Sequence, residues 1–189
     1  MSASHYLPAA QSVAQAIPGI LAELGLVFFL SARADRIAPG TATALFVTYA
    51  ALNGVTLSFV LLAYTGESVA STFVVTAGMF GSMALFGSTT KRSLAGVGQF
   101  LYMGLIGVVL ASLVGIFWHN DALQFLISAV GVLVFTGLAA WDAQRMKQMA
   151  LAVPEGQAGS FAIVGALALY LDFINLFLFL LRFLGGRRE

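Results

Sequence analysis

FAIVGALALYLDFINLFLFLLRFL, residues Phe161 to Leu184, is the stretch that decides what kind of molecule this is. It exceeds the roughly 18 apolar residues that mark a membrane-crossing helix, and it lacks the alternation of a barrel strand. Yet it carries an acid, Asp172, at its middle. A carboxylate at membrane depth costs about 2.5 to 3.5 kcal/mol on insertion scales, so such residues usually face a protein interior or a watery path. Gly165, Ala168, Asp172 and Asn175 follow one another at spacings of three, four and three, which puts acid and amide on one narrow, small-residue face. Asp172 is therefore expected to point toward other helices, and it is the first functional candidate.

The rest of the chain has the same character: 60% of its 189 residues are hydrophobic and only 9% are charged. Apolar stretches between loops number six, at about 15–32, 42–64, 69–88, 97–118, 122–144 and 160–184. The expected fold is all-α, a polytopic transmembrane bundle, with residues 1–14 outside the bilayer and a single membrane domain over 15–189. Met1 to Gln15 contains no Lys or Arg, so no removable signal peptide is expected. The absence of cysteine excludes disulfides, thiol catalysis and Cys-based zinc or iron–sulfur sites. His5 and His119, the two histidines, both fall near the outer surface and make no three-ligand zinc cluster. An intramembrane metal hydrolase is accordingly disfavoured, and neither an enzyme nor a bound cofactor is expected. A net charge of +1 spread over short loops offers no nucleic-acid surface, which leaves the lipid bilayer as the first partner.

Basic residues fall in every second loop: Arg33 and Arg36, then Lys91 and Arg92, then Arg145 and Lys147. The positive-inside rule makes those loops cytoplasmic. Arg187 and Arg188 dissent, since alternation puts them outside; either the last segment is re-entrant or the short tail is carried across. Small residues recur at helical spacing as Ala77, Gly81, Ala84 and Ser88, and as Gly104, Gly107, Ala111 and Gly115. Such seams let helix backbones approach where lipid supplies no hydrophobic drive. The segment Pro154 to Ser160, with Gly156 and Gly159, is expected to let the last two spans shift relative to each other.

The ionisable residues at or near membrane depth are Glu23, Arg33, Asp142, Asp172 and Arg182, joined by the neutral Asn53 and Asn175. Snorkelling to the interface is the plainer reading of Arg33 and Arg182. Asp142, followed by Arg145 at i+3, reads either as an interfacial ion pair or as a functional acid. Glu23 has apolar neighbours on both sides and calls for an interior partner or a role. Two carboxylates that share a low-dielectric site cannot comfortably both ionise, so they titrate as a unit and sense pH. Were Arg33 to reach such a pair, its cation would favour the charged forms, and losing that contact would switch the state. Carboxylate oxygens also suit calcium, but two fall short of a tight cage and would bind it only weakly and transiently, as permeation requires.

Ala166 to Arg182, ALALYLDFINLFLFLLR, closely resembles the C-terminal signature of the transmembrane Bax-inhibitor-motif family, in particular its bacterial members. Supporting matches are Ala22 to Arg33 (AELGLVFFLSAR), Thr89 to Arg92, Gly104 to Gly107 and Trp141 to Gln144, so the resemblance runs from about residue 15 to the end. It implies outer helices wrapped around a central C-terminal one, in a seven-helix family whose first helix is not represented here. Residues 1–15 resemble the loop before the second helix, so either a truncated product or a misassigned starting methionine is expected. It further implies a pH-sensitive calcium leak in the bacterial inner membrane, with Asp142 and Asp172 as the proton-sensing acids and as transient calcium ligands. Arg33 then matches a basic residue that locks the pair, and Glu23 matches an acid that lines the pore, with Asn175 beside them. Ser93, where many relatives have an acid, and Trp141, in place of the usual tyrosine, are departures that leave the paired acids intact. The alternative implied by the resemblance is a non-enzymatic regulator that interacts with a membrane-bound quality-control protease.

Overall fold

Helix breaks occur where the sequence offers residues that cap a helix or cannot continue one. In a computed structural model, which describes residues 36–118, 120–154, 156 and 158–186, five helices follow in order. They are α1 (Pro39–Leu61), α2 (Gly66–Thr89), α3 (Ala95–Phe117), α4 (Asp121–Ala152) and α5 (Ala158–Leu184). Pro39 opens α1, where its missing N–H is no loss. The Thr65 hydroxyl accepts from the Ser68 amide to cap α2, and the Asn120 side chain accepts from the Ala122 amide to cap α4. Gly156, at φ 97°, makes the turn between α4 and α5.

All five helices are long and apolar enough to cross a bilayer. At about 1.5 Å per residue, the 23 residues of α1 or α3 reach about 35 Å, against a hydrocarbon core of about 30 Å. The hydroxyls inside these spans bond back to their own helices, as Thr43, Thr48, Thr76, Ser82, Ser112 and Thr136 do to carbonyls four residues earlier. Their polar atoms thus cost little in lipid. Large apolar side chains such as Phe59, Phe100 and Leu133 are left outward, where lipid meets them. The expected span 15–32, together with Glu23 and Arg33, lies outside the described residues.

α4 packs against α2, α3 and α5, and α5 packs against α1, α2 and α4. The middle of the described bundle is therefore shared by the last two helices. Val134, Phe135 and Leu138 of α4 close on Leu176 and Leu180 of α5, and the Phe135 and Phe179 rings stack at 5.7 Å. On the other side of α5, the Asn53 amide donates to the Tyr170 hydroxyl at 2.9 Å, tying α1 to α5 among the rings of Phe46 and Tyr49.

Two sequence expectations need correction, and one alternative left open is decided. α4 runs to Ala152 rather than to 144, because a helix leaving the bilayer can continue through Gln144, Arg145, Lys147 and Gln148 without an apolar run. α5 is not re-entrant: the Thr65 amide donates to the Gly186 carbonyl and the Gly186 amide to the Ser68 hydroxyl, so the helix ends beside the start of α2, opposite the basic loops. On α2 the buried face is Thr72, Thr76 and Gly87, whereas Ala77 and Gly81 of the expected seam are exposed. Spacing picked out a stripe of small residues on that helix but did not say which face met a neighbour. On α3 the seam is nearer the mark: Gly104 and Gly115 face Val134 and Gln124 of α4, while Gly107 meets nothing.

Candidate functional site

Antiparallel packing of α4 on α5 brings two acids from distant points in the chain to one level. Asp142 follows the apolar part of α4, about 15 Å of helix before its basic end, and Asp172 lies about 21 Å into α5 from the same end. Asp142 is 6% exposed and Asp172 5%, and their carboxyl groups are within hydrogen-bonding reach of each other. Carboxylate oxygens only accept, so a hydrogen bond between them exists only when one carries a proton. Asp172 Oδ2 is fully buried and, among the described residues, has no hydrogen-bond partner. That oxygen has a place for a proton or for a cation.

Asn175 lines the same space but does not serve the acid, because its amide donates to the Leu171 carbonyl one turn back at 2.8 Å. Among the described residues the cation at the pair is Arg145, whose Nη1 lies 3.3 Å from Asp142 Oδ1. Its guanidinium rests over the Trp141 ring, 4.7 Å from the centroid, and that ring meets Tyr102 edge-on at 5.2 Å. A β-carbon at Gly98 would run into the Trp141 indole, so α3 approaches α4 closely at this level. Trp141 thus positions Arg145, and sequence spacing showed the i+3 pair without showing that it joins the site. Tyr102 carried no sequence signal at all.

These groups line a cavity of about 730 Å³ between α3, α4 and α5. Its polar lining is Tyr102, Ser112, Asp142, Arg145, Asp172 and Asn175, and the rest is aliphatic or aromatic. Among the described residues no three His, Cys, Asp or Glu side chains converge as a metal cage would require. The arrangement can hold a proton between two carboxyls or offer two carboxylates to a passing cation. Glu23 and Arg33, expected nearby, are not among the residues described.

Similar proteins fit a membrane bundle of this kind. A family model described as inhibitor of apoptosis-promoting Bax1 matches residues 2–189. The inner membrane protein YbhL of Escherichia coli is 51% identical over 172 residues, covering 89% of this chain and 74% of YbhL. A protein of Deinococcus radiodurans is 47% identical over 174 residues, covering 92% of this chain and 75% of its own. A membrane protein of Streptococcus pyogenes is 44% identical over 164 residues, covering 86% and 71%. With five apolar spans among the described residues and a family match over nearly its whole length, this chain belongs to the family of inhibitors of apoptosis-promoting Bax1, as an integral multi-pass protein of the bacterial inner membrane.

Proposed function

We propose that the protein is a passive, pH-sensitive path for cations, calcium foremost, gated by the Asp142 and Asp172 pair. The observation that supports this most is the unpartnered Asp172 Oδ2, buried beside a second carboxyl and on the wall of a cavity. With one proton shared, the pair holds α4 against α5 and presents little charge. With that proton gone, two acceptors face each other, repel, and draw in a hard cation. Two carboxylates with water and an amide bind calcium weakly enough to release it. In this reading Asn175 lines the path, the C-terminal helix is the core of a six-span bundle, and Glu23 and Arg33 of span 15–32 complete the pore and its lock. Proton and cation compete for the same oxygens, so calcium occupancy falls as pH falls.

The test is calcium flux into liposomes holding the purified full chain, across about pH 5 to 8, where proton-linked switches of this kind operate. The wild type should show flux that changes with pH, and Asp172→Asn, which cannot ionise, should lose that dependence. Wild-type liposomes as tight as empty ones, or two identical pH profiles, would reject the gate.

A further inference from the structure

A second polar cavity, of about 220 Å³, lies at the basic end of the bundle between the end of α2, the loop that follows and the projecting part of α4. Lys91, Arg92 and Lys147 line it, together with Ser88, Thr90 and Ser93, and no acidic side chain does. Its floor is built. Buried Gln144 donates to the Arg92 carbonyl at 2.7 Å and accepts from the Leu94 amide at 2.8 Å, pinning the loop to α4. Lys147 Nζ donates to the Ser88 carbonyl at 2.8 Å, which fixes the ammonium at the mouth. The Thr90 and Ser93 hydroxyls each accept a backbone amide, from Arg92 and Ala95 respectively, so each still has its own O–H to give. α3 begins two residues after Ser93, and its N-cap residue, Leu94, makes no side-chain cap, so the positive end of the helix dipole adds to the site.

Donors with net positive charge and no internal anion describe a site for an anionic oxygen group such as a phosphate. Its position selects the source. Leu151, on the rim, is 82% exposed, and Leu85 and Phe86, in the last turns of α2, are 66% and 50% exposed on the apolar flank below. A ligand here has its charged part among the cations and apolar surface directly beneath, at the level where the spans leave the bilayer. We propose that this pocket binds the phosphate headgroup of an anionic phospholipid in the cytoplasmic leaflet, with acyl chains along the lipid-facing side of α2 and α4. Because the loop it grips is locked to α4 only two residues from Asp142, the bound lipid braces the end of the helix that carries one of the paired acids.

The full chain in mild detergent is titrated with phosphatidylglycerol or phosphatidylcholine, and bound lipid is read by native mass spectrometry. Phosphatidylglycerol should bind in preference to phosphatidylcholine. The double variant Lys91→Gln, Arg92→Gln should bind it about 25-fold more weakly, at about fivefold for each basic residue removed. Both side chains are exposed, and among the described residues the salt bridge present is Arg145 to Asp142, so neither substitution breaks an ion pair. Arg36→Gln, which removes a charge from the same end but not from this pocket, should bind as wild type does. Equal retention of the two lipids, or a double variant indistinguishable from wild type, would overturn the site. Displacement of phosphatidylglycerol by an equal concentration of inorganic phosphate would overturn the lipid as its occupant.

Discussion

Asp142 and Asp172 differ in what they lose when the other is removed. Asp142 keeps the Arg145 guanidinium at 3.3 Å, whereas Asp172, with Oδ2 already unpartnered, keeps only the more distant field of that same arginine among the described side chains. Asp142→Ala should therefore lower stability by about 1 to 3 kcal/mol, the usual result of leaving a buried polar group without a partner. Asp172→Asn is close in shape and can donate to Asp142, so it should stay within about 1 kcal/mol of wild type. Thermal unfolding in one detergent ranks the two, and equal melting temperatures would mean the carboxyls do not depend on each other. Arg145→Gln should also change stability by less than about 1 kcal/mol, since the arginine side chain is 44% exposed and water screens its pairing. Asp172 was legible in the sequence from its cost in an apolar helix. Its meeting with Asp142 was not derivable from spacing, because each acid's depth depends on where two separate helices begin.

Helix positions were legible to within a few residues except at the cytoplasmic end of α4, because apolar length and the caps at Pro39, Thr65 and Asn120 are local properties. Helix faces were legible on α5, where Gly165 and Asp172 are buried as their shared stripe implied, but not on α2, and two of its glycines make the difference measurable. A β-carbon at Gly87 would collide with the backbone carbonyl of Ala140, so Gly87→Ala must push α2 off α4. Overpacking at a contact that cannot yield should cost about 1 to 3 kcal/mol. Gly81, from the seam that spacing favoured, has nothing within 4 Å of that position. Gly81→Ala should therefore be neutral, or stabilising by up to about 1 kcal/mol through helix propensity. Paired melting curves decide it: a harmful Gly81→Ala with a harmless Gly87→Ala would put the α2 interface on the other face. A smaller effect is expected where α1 meets α5. Tyr170→Phe removes the partner of the Asn53 amide and should cost about 0.6 kcal/mol, the mean for side-chain hydrogen bonds between membrane helices.

The direction in which the whole bundle threads the membrane follows from its two ends. Arg36, Lys91, Arg92, Arg145 and Lys147 gather at one end, which the distribution of positive charge assigns to the cytoplasm. At the other end Gly186 is clasped by Thr65 and Ser68, so α5 ends at the opposite end of the bundle from those basic loops, which the same rule makes the outer one. Charge bias acts most strongly on loops between spans, whereas here the packing of α5 against α1, α2 and α4 fixes where the helix must end. The native chain has no cysteine, so single exposed cysteines report sidedness without background. Glu67→Cys and Gly186→Cys should react with a membrane-impermeant maleimide in intact spheroplasts. Ser93→Cys should react only after permeabilisation. Should Gly186→Cys need permeabilisation while Glu67→Cys does not, the clasp between the two ends would be absent in the bilayer, and the last helix would have to turn back before crossing. Labelling of all three as expected fixes the basic end, with its phosphate pocket, in the cytoplasmic leaflet, and leaves the Asp142 and Asp172 pair between that leaflet and the middle of the membrane, where a proton can reach it from the cytoplasm.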